Sequence, residues 1–378
     1  MKAEKEKQYS VAVVATMSAG KSTLMNALMV EDLLPTSNLA CTSTVFAIQD
    51  DDAAPKFMGR YISGGKVSEW EDVDRAKLSD WNMKKADRIE LKGNLPVIVT
   101  GNNRIQMTFL DTPGPNNSTN LRHGEITSDL IAHHDFSCVV CVLNATTLST
   151  DNEKELLVSL LEQKRKRQNF NIYFALNKID KLDIEQSEYP AETIDKLRKF
   201  LIQLGFENPV VIPTSASLSM AIRNIFRTAV PVPDKDLNQL LPLVKKYRSD
   251  LPAFRCTLSR NKQQAIADQI SLLWAQRKFY RTCLHDEKNF RRQWLAIRRM
   301  PEPEKRQILI GDTFFTTEFL GKVDLLCGTA FLEKSVELDM LQKLDLSPST
   351  YALQKLIRAK NKARKIMKVN TNNNSTPK

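Results

Sequence analysis

The chain has 378 residues, 42% hydrophobic and 26% charged, with 55 Lys+Arg against 44 Asp+Glu. This composition excludes a disordered polymer or a fibre, and no apolar run reaches the ~18 residues of a membrane span. Six cysteines without paired metal spacing exclude a disulfide scaffold or a zinc ribbon, and Met1–Lys7 alternates Lys and Glu, so it is read as no signal peptide and the setting as a reducing cytosol.

In chain order, the apolar, β-branched run Tyr9–Val14 reads as a strand, and Thr23–Met29 reads as a helix. Between them lies Ala15-Thr16-Met17-Ser18-Ala19-Gly20-Lys21-Ser22. Strand, turn, Gly-Lys-Ser and helix form the setting of a phosphate-binding P-loop. Successive backbone N–H groups and the helix N-terminus would face phosphate oxygens, with Met17, Ser18, Ala19, Gly20, Lys21, Ser22 and Thr23 as the nucleotide-binding residues of this turn. Lys21 would reach the β/γ-phosphates and Ser22 would place its hydroxyl on Mg²⁺. The first glycine of the motif is replaced by Ala15, which is tolerable only where the turn needs no positive φ. A Gly-Lys-Ser turn can also merely join a strand to a helix, so its reading depends on the loops that follow.

A polar loop, Leu33 to Thr44, precedes a strand at Val45–Ile48. A threonine there could bind Mg²⁺ and sense a γ-phosphate, with Thr42 the first choice and Thr44 the second. Residues 50–100 read as a mixed insertion: an acidic turn at Asp50–Asp52, a helix over Trp70–Ala86, and short strands at Arg88–Leu91 and Leu95–Thr100. The strand Ile105–Leu110 then delivers Asp111-Thr112-Pro113-Gly114. Asp111 would serve the Mg²⁺ shell and Gly114 would offer its N–H to the γ-phosphate.

Asn116–Gly124 reads as a second polar loop and Glu125–His134 as a helix. Ser137–Leu143 reads as a strand whose Cys138 and Cys141 are buried thiols rather than metal ligands. A helix over Asn152–Lys166 ends in a basic run suited to a helix C-terminus. The strand Asn171–Leu176 leads to Asn177-Lys178-Ile179-Asp180. A carboxylate can accept from both guanine N1–H and N2–H₂ and finds no such pair on adenine, so Asp180 selects guanine. The Lys178 stem would cover the ring and Asn177 would tie this loop to the P-loop. After a helix at Ala191–Leu204, the strand Val210–Pro213 ends in Thr214-Ser215-Ala216, a turn that could donate an N–H to the guanine carbonyl. Five loops placed at the carboxyl ends of strands, alternating with helices, predict an α/β, mostly parallel sheet with the ligand at that edge.

The order P-loop, Thr loop, D-x-P-G, N-K-x-D and Ser-Ala is that of GTPases. Within them, Met17–Leu28, Leu34-Pro35-Thr36 before Cys41-Thr42, and Leu110–Asn116 resemble the dynamin superfamily, specifically its bacterial dynamin-like members. The likeness is greatest to the branch associated with the replication-fork sliding clamp, and it covers about residues 8–225. The resemblance implies GTP hydrolysis to GDP and phosphate with Mg²⁺, dimerisation across the nucleotide face, and a monovalent cation, K⁺ or Na⁺, with Ser18 among its ligands. Ser18, Lys21, Thr42 and Gly114 are then the catalytic set. Met17 stands where many dynamins carry a water-positioning Gln, and Pro115 stands where Ras-type GTPases carry theirs. Slow basal turnover that rises on dimerisation is therefore expected.

Charge divides the chain. Residues 1–220 hold 25 Lys+Arg against 29 Asp+Glu, and the remainder hold 30 against 15. The back part reads as basic helices at Leu237–Arg248, Lys262–Tyr280 and Asn289–Met300. Leu326–Lys334 resembles the last helix of a dynamin-like GTPase domain, and Tyr351–Val369 reads as an amphipathic basic helix before a disordered tail. The expected organisation is a GTPase core at 1–225 continuing at about 318–345, a helical insertion at 226–317, and the basic helix and tail at 346–378. Too little chain is left for a dynamin stalk, so a second dynamin-like chain is one expected partner. The basic part would face anionic lipid or DNA or the clamp, placing the protein in the cytoplasm, at a membrane periphery or at the nucleoid. Three functions compete: membrane or assembly remodelling, a regulatory GTPase of chromosome or replication-fork organisation, and a nucleotide-binding scaffold with negligible turnover.

Overall fold

The computed structural model describes residues 7–36, 44–51, 54–84, 86–95, 105–112, 135–167, 169–183, 189–227 and 328–344. The loop with Thr42, the segment with Gly114 and His133-His134, the helices expected between 237 and 300, the tail from 345 and most of the strand expected at 95–100 lie outside these residues.

Among the described residues ten strands form one sheet: β1 (Lys7–Ala15), β2 (Val45–Asp50), β3 (Met58–Ser63), β4 (Lys66–Val67), β5 (Glu71–Asp72), β6 (Arg88–Gly93), β7 (Ile105–Asp111), β8 (Cys138–Asn144), β9 (Asn171–Asn177) and β10 (Val210–Pro213). Their order is β10-β9-β8-β1-β7-β2-β6-β3-β4, with β5 beside β3. The run from β10 to β7 is parallel throughout. β2 lies antiparallel to β7, and β3 is antiparallel to β4, β5 and β6. The sheet is thus an α/β sheet, mostly parallel, and β1 sits where the strand order reverses, the place where such sheets bind ligands.

Alternation along β1 sorts the core. Tyr9, Val11, Val13 and Ala15 face one buried cluster, and Ala12 and Val14 face the other. On the first face lie α1 (Lys21–Met29), α2 (Arg75–Met83), the start of α5 (Ala216–Arg227) and α6 (Thr329–Lys343). On the second lie α3 (Asp151–Lys166), through Leu156, Leu157, Leu160 and Leu161, and α4 (Pro190–Leu204), through Ile194, Leu197 and Leu201. Cys138 and Cys141 are buried on opposite faces of β8, and burial pushes both thiols well above the ordinary range.

Two expectations need correction. The helix expected over 70–86 starts only at Arg75, because Asp74 caps it by accepting from Lys77 N–H at 2.8 Å. The residues before it are drawn into the sheet instead: Glu71 and Asp72 pair with Gly59 and Met58. The guanidinium of Arg60 lies 4.6 Å over the Trp70 ring. The hairpin of β3 and β4 turns at Gly64-Gly65, both at positive φ, a two-glycine turn signal that the sequence reading passed over. The second correction concerns the Thr loop. It does not leave the carboxyl end of a strand but enters the amino end of β2. Because β2 runs antiparallel to β7, with Phe46 opposite Asp111, that end still lies at the ligand edge.

Candidate functional site

Four of the loops leave the carboxyl ends of β1, β7, β9 and β10 at the same edge of the sheet. The first is the P-loop turn. Ala15 stays in the β1 ladder opposite Val142, and the positive φ values fall at Ser18 (60°) and Gly20 (93°). This is why Ala serves where the motif has Gly: the turn places its left-handed residues further along. Ala19 is buried, and Ala19 N–H donates to Thr16 O at 3.3 Å. Met17 and Ser18 form the exposed tip, Met17 at 57% exposure. Ser22 and Thr23, half-buried, stand in the first turn of α1.

Lys21 is buried and its ammonium pairs with Asp111 Oδ1. Burial pushes the Asp111 carboxyl up, and the Lys21 charge partly counters that. The other oxygen, Oδ2, is buried with no hydrogen-bond partner, and so is Thr44 Oγ1. Unpartnered buried oxygens are costly, and oxygen donors of this kind suit a hard divalent cation. The donor set therefore fits Mg²⁺. Thr112 continues the strand end, its hydroxyl donating to Val13 O at 3.1 Å, so the D-x-P-G segment starts bound to β1.

Asn177 joins the two halves of the edge. Its Nδ2 donates to Ala19 O at 2.8 Å, and its Oδ1 accepts from Ala216 N–H at 3.0 Å. Gly20 is what lets it approach: a Cβ there would lie 2.3 Å from Asn177 Nδ2. Lys178 takes a left-handed conformation (φ 63°), and burial lowers its ammonium pKa. Asp180 is buried, accepts from Ser215 Oγ at 2.5 Å and has Lys181 Nζ at 3.6 Å. Ile179 N–H donates to Thr214 O at 3.2 Å, and Thr214 N–H to Leu176 O at 2.8 Å, which fastens the two loops together. The Ala216 N–H of the Thr214-Ser215-Ala216 turn is engaged by Asn177.

Of the expected site residues, the structure brings together Ala19, Gly20, Lys21, Asp111, Asn177, Asp180, Ser215 and Ala216. Thr42 and Gly114 lie outside the described residues. The sequence reading missed the supports around the site. Arg223 on α5 donates to Ala27 O at 2.7 Å and forms a two-pronged pair with Glu333 on α6 at 2.5 and 2.9 Å. No motif marks either residue. Thr150 and Glu153 make a reciprocal cap on α3, and the pattern Thr-x-x-Glu before an apolar run would have indicated it.

Residues 11–179 match the family model of the Dynamin family. The chain is 22% identical over 275 residues to Dynamin-like protein A of Bacillus subtilis (strain 168), a match over 72% of this chain and 20% of that protein. It thus spans about a fifth of the relative's length. Among solved structures it is similar to an oligomerised bacterial dynamin pair, described as sensing and tethering membranes over long range. That match has a TM-score of 0.40 at 15% identity, over 80% of this chain and 45% of the other. It is also similar to Aquifex aeolicus Era bound to GDP and AlF4⁻, with a TM-score of 0.32 at 20% identity, over 64% of this chain and 57% of that one.

Proposed function

We propose that this dynamin-like GTPase hydrolyses GTP to GDP and phosphate with Mg²⁺, dimerises across the nucleotide face, and couples that cycle to membrane or assembly remodelling. The observation that carries the reading is Asn177, whose amide bonds the P-loop on one side and the Ser215-Ala216 turn on the other. It holds phosphate and base positions in one frame. Asp180, oriented by Ser215, reads the guanine edge, and the Lys178 stem covers the ring. Lys21 exchanges its partner Asp111 for phosphate oxygens. Ser22, Asp111 and Thr42 would hold Mg²⁺, which when bound neutralises charge on the phosphate oxygens. Gly114 offers its N–H to the γ-phosphate, and Ser18 is a candidate ligand for a K⁺ or Na⁺ ion at the exposed tip of the turn.

Met17 favours a second reading, a nucleotide-binding scaffold with negligible turnover. Its thioether is 57% exposed at the tip of the turn and cannot orient water as an amide would. One assay separates the two. Phosphate release from GTP is followed as protein concentration rises, beside Lys21→Ala. We expect turnover per molecule to rise with concentration and to fall at least about a hundredfold in Lys21→Ala, the scale of losing one charge-stabilising donor. Phosphate release no faster than in Lys21→Ala at every concentration leaves the scaffold.

A further inference from the structure

The turn that carries Ser215 is held from outside by α6. Gly328 caps the start of that helix, buried and at φ 69°, and its carbonyl accepts from Leu332 N–H at 2.9 Å. A Cβ at residue 328 would overlap Pro213 O and lie 3.4 Å from Thr214 Cα, so two backbones meet here with no room for a side chain. Pro213 ends β10, opposite Leu176. Thr214 then links the two base loops: its N–H donates to Leu176 O, and its carbonyl accepts from Ile179 N–H. Ser215, the next residue, donates to Asp180 Oδ1 at 2.5 Å. Helix α5 leaves the same turn at Ala216 and returns to α6 through the buried pair of Arg223 and Glu333. The turn thus lies between two attachments to α6, one before it and one after it. Further along, α6 is fixed again where Asp339 accepts from Tyr9 and Asn171.

We propose that Gly328 is a positioning residue for guanine recognition. The seat of α6 on the end of β10 sets where the Thr214-Ser215 turn stands, and Ser215 passes that position to the Asp180 carboxylate. Gly328 acts through Pro213 and Thr214 rather than on the nucleotide. A side chain at residue 328 has to push one of the two backbones away. Glu333 and Asp339 pin the helix, so the turn is the part that yields. Asp180 then meets guanine N1–H and N2–H₂ out of line, and hydrogen bonds weaken steeply with misalignment. The inference rests on the guanine reading of Asp180 above.

The test is a pair of affinities, for GDP and for IDP, both with Mg²⁺, in the full chain. IDP differs from GDP in lacking the N2 amino group, so the ratio of the two reads the Asp180 contact and cancels losses at the phosphates. The proteins are wild type, Gly328→Ala, Ser215→Ala, the double variant and Thr329→Ala, each with its melting temperature. Wild type should prefer GDP by about tenfold or more, the scale of one hydrogen bond to a charged group. Gly328→Ala should lower that preference at least about threefold, and Ser215→Ala should do the same. The double variant should fall no further than the lower single variant, because both changes act at one contact. Should Gly328→Ala not fold, Thr329→Ala, trimmed at the first and fully buried residue of α6, takes its place and should lower the preference about twofold. An unchanged preference, with GDP and IDP weakened alike, overturns the role, and so does full additivity with Ser215→Ala. If wild type prefers GDP and the α6 variants keep that preference, only this inference falls. If wild type binds GDP and IDP equally, or binds neither, the guanine reading falls and this one with it.

Discussion

A methyl group at residue 20 would lie 2.3 Å from Asn177 Nδ2, on a backbone held at φ 93°. Gly20→Ala therefore carries two penalties, a left-handed backbone and a displaced Asn177. That side chain is the contact shared by the P-loop and the base loop. We expect the variant to lose at least about tenfold in guanine-nucleotide affinity, read by titration with a fluorescent GDP, on the scale of ~1–3 kcal/mol for strain of this kind. Ala15, where the motif usually has Gly, carries no such penalty because it remains in the β1 ladder. At this scale the sequence was informative where chemistry demands a residue type at a set spacing. Lys21, Asp111, Asn177 and Asp180 could be read as a set because phosphate, cation and guanine each admit few side chains. The bond from Asn177 to Ala216 was not legible, because it is made between groups 39 positions apart.

Helix α6 shows what an element adds. It begins at Gly328, where a Cβ would sit against Pro213 O at the end of β10, and it ends at Lys343, which donates to Ser137 O and Asn169 O. Its 15 residues span ~22 Å. It thus crosses the sheet from the nucleotide edge to the opposite edge, where Asp339 accepts from Tyr9 and Asn171. Midway, Glu333 meets Arg223, which also donates to Ala27 O at the end of the P-loop helix. Both side chains are buried. Breaking one partner leaves the other charge buried, so Arg223→Met should cost ~3–5 kcal/mol in urea unfolding. The double change Arg223→Met with Glu333→Leu should cost clearly less, since it leaves no buried charge without its counterpart. A helix reading of Leu326–Lys334 located this element in part. Its charged residues would have argued for a solvated face, and only its packing reveals that Glu333, Lys334, Glu337 and Asp339 are buried.

At the scale of the molecule, net charges of −4 over residues 1–220 and +15 over the remainder divide the chain into a near-neutral and a basic part. The segment that matches the Dynamin family model, residues 11–179, lies wholly in the near-neutral part. Among the described residues no helix is long and apolar enough to cross a membrane. We expect size exclusion with light scattering to give monomer mass with GDP and dimer mass with GDP and AlF4⁻. Monomer mass in both conditions would remove dimerisation across the nucleotide face from the cycle.

Taken by itself, the amino-acid sequence determined the expected chemistry of the edge: which loops would bind phosphate, cation and guanine, in what order, and that the strands before them alternate with helices. Local spacing carries that information, because each motif's residues act on one ligand from one turn. The antiparallel entry of β2, the helix beginning at Arg75 rather than at Trp70, and the burial of Arg223 against Glu333 depended on partners distant in the chain. Register and burial belong to pairs of segments, and neither segment's periodicity contains them.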